Sequence, residues 1–457
     1  MLLTNMKTRF TACASRLAEA FISLKHNLSN STVKCFASYN LYRFVGLFLL
    51  YSSKQIHKPV DKSLGTIIVF AKLGFSEEIR LLIGKYENKL PRIILVRRGL
   101  IKAISSSFLA KNQRRDYLES SEIDSIQIDA CTNFWSNVLT FLNKAIDLRL
   151  ILSGNLVYWA ERPIARASSD TPVKFCIYQK ETFFTKRAKR TYEYLLERTQ
   201  PFLGYRIFVF SESSKKLLSK SGVAKDFMVE VVGSIRLNSA NIRPFKKSTE
   251  ENRSIIFFVP SLPTLVDANF IQRENQLFLD LHNNQVSFGL NLIENASSIF
   301  PEFNFVVKEK NDSRSLEVLR FFDRIKAFKK NVMLHPPESS LADSVLKNAM
   351  CAFGFNSTSL FDSLLSGVPV ANLRGKIDEA TFGYYFETYG GTLPEITNFS
   401  DFTDWIYAIK SNNFNSSWLN LNFDSIENYF SQGFGRYNLS EDHKFYTRIM
   451  DICRGSR

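Results

Sequence analysis

Two series of short apolar runs alternate with helical segments along this chain, and they constrain the fold more than any other feature. The runs are nearly continuously apolar, as expected for parallel strands covered by helices on both faces. The first series comprises GTIIVFA (65–71), RIILVRR (92–98), SIQIDA (125–130), RLILSG (149–154), KFCIYQ (174–179), RIFVFS (206–211) and VEVVG (229–233). The second comprises SIIFFVP (254–260), FNFVVKE (303–309), VMLHP (332–336), MCAFGF (350–355) and VPVANL (368–373). We therefore predict an α/β fold with two Rossmann-like, doubly wound parallel sheets that face a cleft.

A polar and basic stretch at 235–252 separates the two series and is typical of a linker. It places the first Rossmann-like domain at 63–240 and the second at 241–435. Residues 1–62 are predicted to form a basic, amphipathic helical extension, and residues 436–457 a C-terminal helix.

The formal charge of +15 over 457 residues indicates an anionic partner. Part of it lies in residues 1–60, where eight lysines and arginines face a single acid, Glu19. The longest apolar run there, 44–51, is far shorter than the roughly 20 residues that span a membrane. Two interpretations stay open: a helix lying on anionic lipid, or an ordinary helix packed on the domain. No RNA-binding motif accompanies the charge, so a nucleic-acid partner is not expected.

Cysteine and histidine patterns give no indication of a metal centre. The six cysteines lie far apart without a CxxC pair, which is typical of reduced thiols in the cytosol. The five histidines form neither an HxxxH nor an HExxH cluster. We expect no metal and no cofactor.

Polar residues follow four strands of the second series. They are Ser261, then Lys308 with its charged neighbours, then His335, and the group Asn356, Ser357 and Thr358. Ligands of doubly wound sheets bind outside the carboxyl ends of the strands. Small hydroxyl and amide side chains before a helix often only cap it, but a helix start behind a parallel strand also favours anions. Four polar strand ends together favour an anion-binding site.

The order of these pieces resembles bacterial glycosyltransferases of the two-Rossmann (GT-B) architecture that build surface polysaccharides. The segments that carry the resemblance are IFVFSESSKKLLSKSG…VVGSIRLN (207–238), FFVPSLPT (257–264), FVVKEK (305–310), VMLHPP (332–337) and FNSTSLFDSLLSGVPVANL (355–373). Capsule polysaccharide and Kdo-transferase-like enzymes are the most similar in appearance, with CDP-glycerol glycerophosphotransferases further off. The sequence departs from the family pattern in one respect. In the family, the strand that ends in a lysine often continues into a His-Pro pair, whereas here Lys308 is followed by Glu-Lys-Asn, and His335 is the nearby histidine before a proline.

The resemblance implies roles for individual residues. Asn356, Ser357 and Thr358 would contact the donor phosphates, and Asp362 would bind the ribose hydroxyls. Lys308 and Ser261 would contact the same phosphates, and the main chain around His335 would line the base. The resemblance also implies that the first domain binds the acceptor, the second binds the nucleotide sugar, and the last helix crosses back to the first domain.

Inverting glycosyl transfer needs a base for the acceptor hydroxyl and a stabilised leaving phosphate. Glu181, with Lys180 before it, follows the strand KFCIYQ and is our first candidate for that base. Asp170 and Glu161 are the reserve candidates. The basic run at 186–190 either attracts an anionic acceptor or is a solvated helix face.

The sequence thus predicts a metal-independent glycosyltransferase that moves a sugar from a nucleotide-activated donor to a glycan or lipid-linked acceptor. The acceptor would be a growing capsule, lipopolysaccharide or O-antigen chain at the cytoplasmic face of the plasma membrane. Two other functions fit the same architecture: a sugar-nucleotide epimerase and a binding protein without catalytic activity.

Overall fold

The computed structural model describes residues 27–116, 122–179, 186–235, 253–260, 271–309, 316–325, 330–335, 343–355, 357, 359–374, 393–412 and 444–455. These residues fall into two compact units. Each unit contains one sheet, so we describe the two units separately.

The first unit contains a seven-stranded sheet with the order β1-β3-β2-β4-β5-β6-β7. The strands are β1 Lys54–His57, β2 Thr66–Ala71, β3 Arg92–Arg97, β4 Leu148–Ser153, β5 Lys174–Tyr178, β6 Arg206–Val209 and β7 Val229–Val231. All neighbouring strands are parallel except β1, which pairs antiparallel with β3. From β2 the chain adds β3 on one side and β4 on the other, so the order reverses between β2 and β4.

Helices connect and cover these strands. They are α1 at 27–38, α2 Tyr42–Tyr51, α3 Leu73–Tyr86, α4 Arg98–Ser105, α5 Ser125–Ile146, α6 Arg162–Ala167 and α8 Glu212–Lys220. Helix α7, Lys186–Arg198, lies between β5 and β6 in the chain, and the boundary between the two units falls within it, after Tyr192.

The second unit contains a six-stranded parallel sheet with the order β10-β9-β8-β11-β12-β13. Its strands are β8 Ser254–Phe258, β9 Asn304–Lys308, β10 Val332–His335, β11 Ala349–Gly354, β12 Val370–Leu373 and β13 Glu395–Ile396. Its helices are α9 Ile271–Ile299, α10 Leu316–Ile325, α11 Asp343–Lys347, α12 Ser359–Leu365 and α13 Phe399–Lys410. The order reverses between β8 and β11. The predicted fold class, with two doubly wound parallel sheets, is confirmed.

The second sheet shows why its strands are apolar throughout. Phe257 belongs to a cluster of buried residues on one face of the sheet, where it stacks on Phe353 with 4.9 Å between ring centroids. Phe258, the next residue, belongs to a second buried cluster that includes Leu360 of α12. Because successive side chains point to opposite faces and both faces are covered, every position from Ile255 to Phe258 is apolar.

One strand prediction was wrong. The segment SIQIDA (125–130) is the start of α5, whose side chains are buried at helical spacing, as at Ile128, Cys131 and Trp135. Asp124 caps this helix, since its carboxylate accepts a hydrogen bond from the Gln127 amide at 3.2 Å. Six residues, 125–130, alternate like a strand. The helical spacing of apolar residues becomes visible only when the rest of α5 is included.

The first two helices pack on the first unit. Val33 and Ala37 of α1 and Val45 and Leu49 of α2 are buried. Gly46 lies so close to Phe141 of α5 that an added Cβ would be 2.5 Å from the ring. The interpretation of a helix packed on the domain therefore holds for this inner face.

The C-terminal helix α14, Lys444–Gly455, belongs to the first unit. Its buried side chains are Phe445, Ile449, Met450 and Cys453. The predicted linker at 235–252 lies outside the described residues, apart from Ile235.

Candidate functional site

A row of paired residues marks the carboxyl edge of the second sheet. Gly354 pairs with Phe258, Phe258 with Lys308, and Lys308 with His335. A Cβ at position 354 would lie 2.8 Å from the Phe258 carbonyl oxygen, so glycine permits the close approach of β11 to β8. The row brings the predicted donor segments to one edge, at the point where the strand order reverses.

Lys308 ends β9 within this row and is 2 % exposed. Its ammonium group donates a hydrogen bond of 2.9 Å to the Glu309 carbonyl oxygen. Lys308 is therefore not a solvated side chain at a strand end. Its side chain is buried at the carboxyl edge, next to the reversal of strand order.

Ser357 has a structural role in this sheet. Its hydroxyl accepts a hydrogen bond of 3.3 Å from the Ser359 amide, and its carbonyl accepts one of 3.1 Å from the Leu360 amide. Both contacts cap α12, as the simpler interpretation expects. Asp362 lies half-buried in the first turn of the same helix. Ser261, Asn356 and Thr358 lie outside the described residues, and contacts between any of these residues and a nucleotide stay a prediction.

His335 ends β10, the outermost strand of the described sheet, and is half-buried. Met333 and Leu334 before it are exposed. Contact between this strand and the base of a nucleotide stays a prediction.

The carboxyl edge of the first sheet carries a buried ion pair. The Glu161 carboxylate accepts a hydrogen bond of 2.9 Å from Arg98 Nε and a second one from the Ser153 hydroxyl. Arg98 follows β3, and Ser153 ends β4. The network therefore lies where the strand order of this sheet reverses, the position that binds ligands in doubly wound sheets.

Aromatic and charged neighbours fix this ion pair. The Arg98 guanidinium carbon lies 3.0 Å from the ring centroid of Tyr158, and the Lys72 ammonium nitrogen lies 5.5 Å from the same centroid. Asp116 accepts a hydrogen bond of 2.9 Å from the Trp159 amide. Stacking on tyrosine holds the guanidinium plane in one orientation.

Burial changes the protonation of Glu161, which is 3 % exposed. Burial raises the pKa of its carboxyl group from the ordinary 4.5 to about 7, and the charge of Arg98 opposes only part of that rise. Glu161 can therefore both accept and release a proton near neutral pH.

The other predicted residues at the reacting end are placed differently. Lys180 and Glu181 lie outside the described residues, so the assignment of Glu181 as the base stays a prediction. Asp170 is exposed at the end of a short 3₁₀ turn. Of the two reserve carboxylates, Glu161 is the one that the fold brings to the carboxyl edge.

Sequence reasoning missed the partners of Glu161. Lys72 and Arg98 are each the first residue after a strand, β2 and β3 respectively. Charged residues directly behind apolar runs were therefore a usable signal in the first domain as well.

Within the described residues, no group of three or more potential ligands could hold a metal ion. No helix in that part of the chain is long and apolar enough to cross a bilayer.

Comparisons with known proteins give structural similarity only. The sequence matches no protein-family profile and no curated protein. The structure resembles a UDP-N-acetylglucosamine 2-epimerase, with 13% identity, 87% of this chain and 98% of that chain covered, and a TM-score of 0.46. It also resembles the UDP-GlcNAc 2-epimerase from Neisseria meningitidis bound to UDP-GlcNAc (12% identity, 84% and 99% covered, TM-score 0.47). A third similar structure is a mutant of TarM from S. aureus in complex with fondaparinux, alpha-GlcNAc-glycerol and UDP (12% identity, 71% and 59% covered, TM-score 0.40). At identities of 12–13% and TM-scores below 0.5, the similarity does not indicate the function, which depends on the chemistry of the site.

Proposed function

We propose that this chain is a glycosyltransferase that moves a sugar from a nucleotide-activated donor to a surface glycan. One observation carries the proposal: the row that joins Gly354, Phe258, Lys308 and His335 at the carboxyl edge of the second sheet. Through this row, the segments that resemble the donor-binding motifs of surface-polysaccharide transferases lie at one edge, with a buried ammonium group among them.

A nucleotide donor suits the chemistry of that edge. Phosphate oxygens accept hydrogen bonds from a lysine side chain, and ligands of doubly wound sheets bind at this edge. In the transfer step the leaving phosphate gains charge, which the Lys308 ammonium group would stabilise without a metal. Glu181 and Glu161 are the two candidates for the base that takes the proton from the acceptor hydroxyl.

Nucleotide binding tests this proposal directly. We expect one of CMP, CDP, UDP or GDP at 100 times its dissociation constant to raise the free energy of unfolding by about 2.7 kcal/mol. Lys308→Met should weaken that nucleotide about tenfold or more, since hydrogen bonds to charged groups contribute about 1.5–3 kcal/mol. Urea denaturation with and without the nucleotide measures the first effect, and isothermal titration calorimetry measures the second. Lys410→Met is the matched control, because Lys410 is an exposed lysine of the same unit, paired with Glu302 at 2.6 Å. Equal nucleotide affinity in both variants would contradict the role of Lys308.

The reaction products separate the transferase from its rivals. With the nucleotide sugar and a membrane extract as acceptor, a transferase releases the nucleotide and labels the extract. An epimerase changes the configuration of the sugar, visible by NMR, while the nucleotide stays attached. Turnover of the second kind, or nucleotide binding without any turnover, would replace the proposed activity.

We further propose that α1 and α2 hold the enzyme on an anionic membrane. The outer face of α2 exposes Phe44, Leu47 and Tyr51, while its inner face packs on the domain. Residues 27–60 carry Lys34, Arg43, Lys54 and Lys58 and no acidic residue. Exposed apolar side chains among basic ones favour the interface of an anionic bilayer.

Vesicle binding tests the membrane proposal. The double variant Phe44→Ser/Leu47→Ser should bind phosphatidylglycerol vesicles about tenfold more weakly or worse, since burying one such side chain contributes about 1.5–3 kcal/mol. Sedimentation with vesicles of rising phosphatidylglycerol content measures the effect. Phe227→Ser, which changes an exposed phenylalanine elsewhere on the first unit, should bind like the wild type. Unchanged binding of the double variant would contradict the proposal.

A further inference from the structure

Two arginines at the carboxyl edge of the first sheet have a hydrogen-bond donor that the protein does not use. The Nη2 atoms of Arg98 and Arg162 are buried, and neither has a hydrogen-bond partner in the described structure. A guanidinium group keeps its charge and all its N–H donors at any physiological pH. Leaving a buried charged donor unpaired is costly, so a partner from outside the protein is expected.

The position of both groups is fixed by the fold. Arg98 opens α4, its Nε bonds Glu161, and its plane lies against the Tyr158 ring, so Nη2 has little freedom to turn away. Arg162 opens α6 and directly follows Glu161 in the chain. Asp116 acts on the charge of both Glu161 and Arg162, so the two arginines belong to one charged cluster beside the reversal of strand order.

The surrounding charge favours an anion. Lys72 and Lys102 lie near Arg98, whereas Asp116 and Glu161 are acids of the same cluster. Burial lowers the pKa of Arg162 to about 10, although Asp116 opposes the shift. The Arg162 guanidinium is thus removed from water without full compensation, which an anionic ligand would supply.

Another buried arginine of the same unit shows that unused donors are not a general property of this protein. Arg149 donates from Nε and Nη2 to the two carboxylate oxygens of Asp147, at 2.9 and 2.8 Å. Its Nη1 donates to the Cys453 carbonyl oxygen at 2.7 Å. An arginine with only a structural role is thus fully paired here.

We propose that Arg98 and Arg162 bind an oxyanion, a phosphate or carboxylate group, carried by the acceptor sugar. The planar donor fork of arginine matches the oxygens of either group. The inference rests on the proposed function only for naming the acceptor as the carrier. The oxyanion site itself follows from the two unused donors.

Binding of simple charged sugars tests this site. We expect glucose 1-phosphate or glucuronate to bind about tenfold or more tightly than glucose, the gain expected for one charge-assisted hydrogen bond. Arg162→Met should remove that preference, and Arg98→Lys, which keeps the charge beside Glu161, should weaken it. Arg166→Met is the matched control, since Arg166 lies on the same helix, is partly exposed and pairs with Asp129 at 2.6 Å. Isothermal titration calorimetry on the full chain gives the affinity of the wild type and of the three variants for each of the three sugars, and the better of the two charged sugars identifies the group.

Three results would overturn the inference. They are equal binding of charged and neutral sugars, a preference that survives in Arg162→Met, and a preference that Arg166→Met removes as well. If the nucleotide competes with the charged sugar only when Arg162 is present, the oxyanion belongs to the donor, and the acceptor assignment is wrong. A preference for charged sugars without any nucleotide binding would leave the oxyanion site in place and refute the proposed function.

Discussion

Replacing Glu161 by glutamine is expected to stabilise the protein at pH 8 by about 3 kcal/mol and to change its stability little at pH 4.5. The figure follows from the pKa, which is 4.5 in the unfolded chain and about 7 in the folded one, at about 1.4 kcal/mol for each unit of pKa difference. Burial of the carboxylate is the physical cause, because Arg98 offsets only part of the lost hydration.

The direction of the pH dependence follows from proton binding. Between pH 4.5 and 7 the unfolded chain has released this proton while the folded protein keeps it. The folded state therefore binds more protons, and its unfolding free energy falls as the pH rises through this window. Glutamine resembles the protonated carboxyl group and removes this fall.

Urea denaturation of the wild type and Glu161→Gln at several pH values between 4.5 and 8 measures the difference. Asp226→Asn is the control with the opposite sign. Hydrogen bonds from Lys215 and Ser219 lower the pKa of this exposed carboxyl group, so its stabilisation is lost only in more acidic solution. That variant should keep the wild-type fall between pH 4.5 and 8. Parallel curves for the wild type and Glu161→Gln would show that Glu161 has the same protonation in both states.

The fold class was predictable because its strands and helices are visible as local patterns of apolar residues. A strand such as β8 is apolar on both faces, and this property is visible in its last four residues, Ile255, Ile256, Phe257 and Phe258. The edge strand β1, Lys54–His57, was missed because it has four residues, of which three are polar. Only Ile56 and His57 are even partly buried, so the sequence shows no apolar run there. The error at 125–130 has the same origin, since the helical period of α5 extends beyond that window.

The site was less predictable because its chemistry depends on contacts between distant residues. Glu161 acquires its shifted pKa from burial and from Arg98, which lies 63 positions earlier in the chain. Nothing near Glu161 in the sequence distinguishes it from Asp170, which is exposed. Lys308 shows the opposite case: its position at a strand end was visible in the sequence, and the structure added only that it is buried.

Truncating Phe445 to alanine is expected to destabilise the first unit by about 3–5 kcal/mol, the usual cost of removing a buried phenyl ring. Phe445 lies near the chain end, yet its ring centroid lies 4.7 Å from that of Tyr178 in β5 and 5.3 Å from that of Phe208 in β6. The C-terminal helix α14 thus covers strands that form more than 230 positions earlier in the chain.

Two further contacts tie α14 to the same unit, so the cavity left by the ring cannot close by a simple shift of the helix. Tyr446 stacks on Tyr86 at 4.2 Å, and Arg149 holds the Cys453 carbonyl oxygen. Urea denaturation followed by circular dichroism measures the loss, and Phe227→Ala, at an exposed phenylalanine of the same unit, should cost little. A loss below about 1 kcal/mol for Phe445→Ala, far less than the usual cost of truncating a buried phenylalanine, would mean that α14 does not stay packed on these strands in solution.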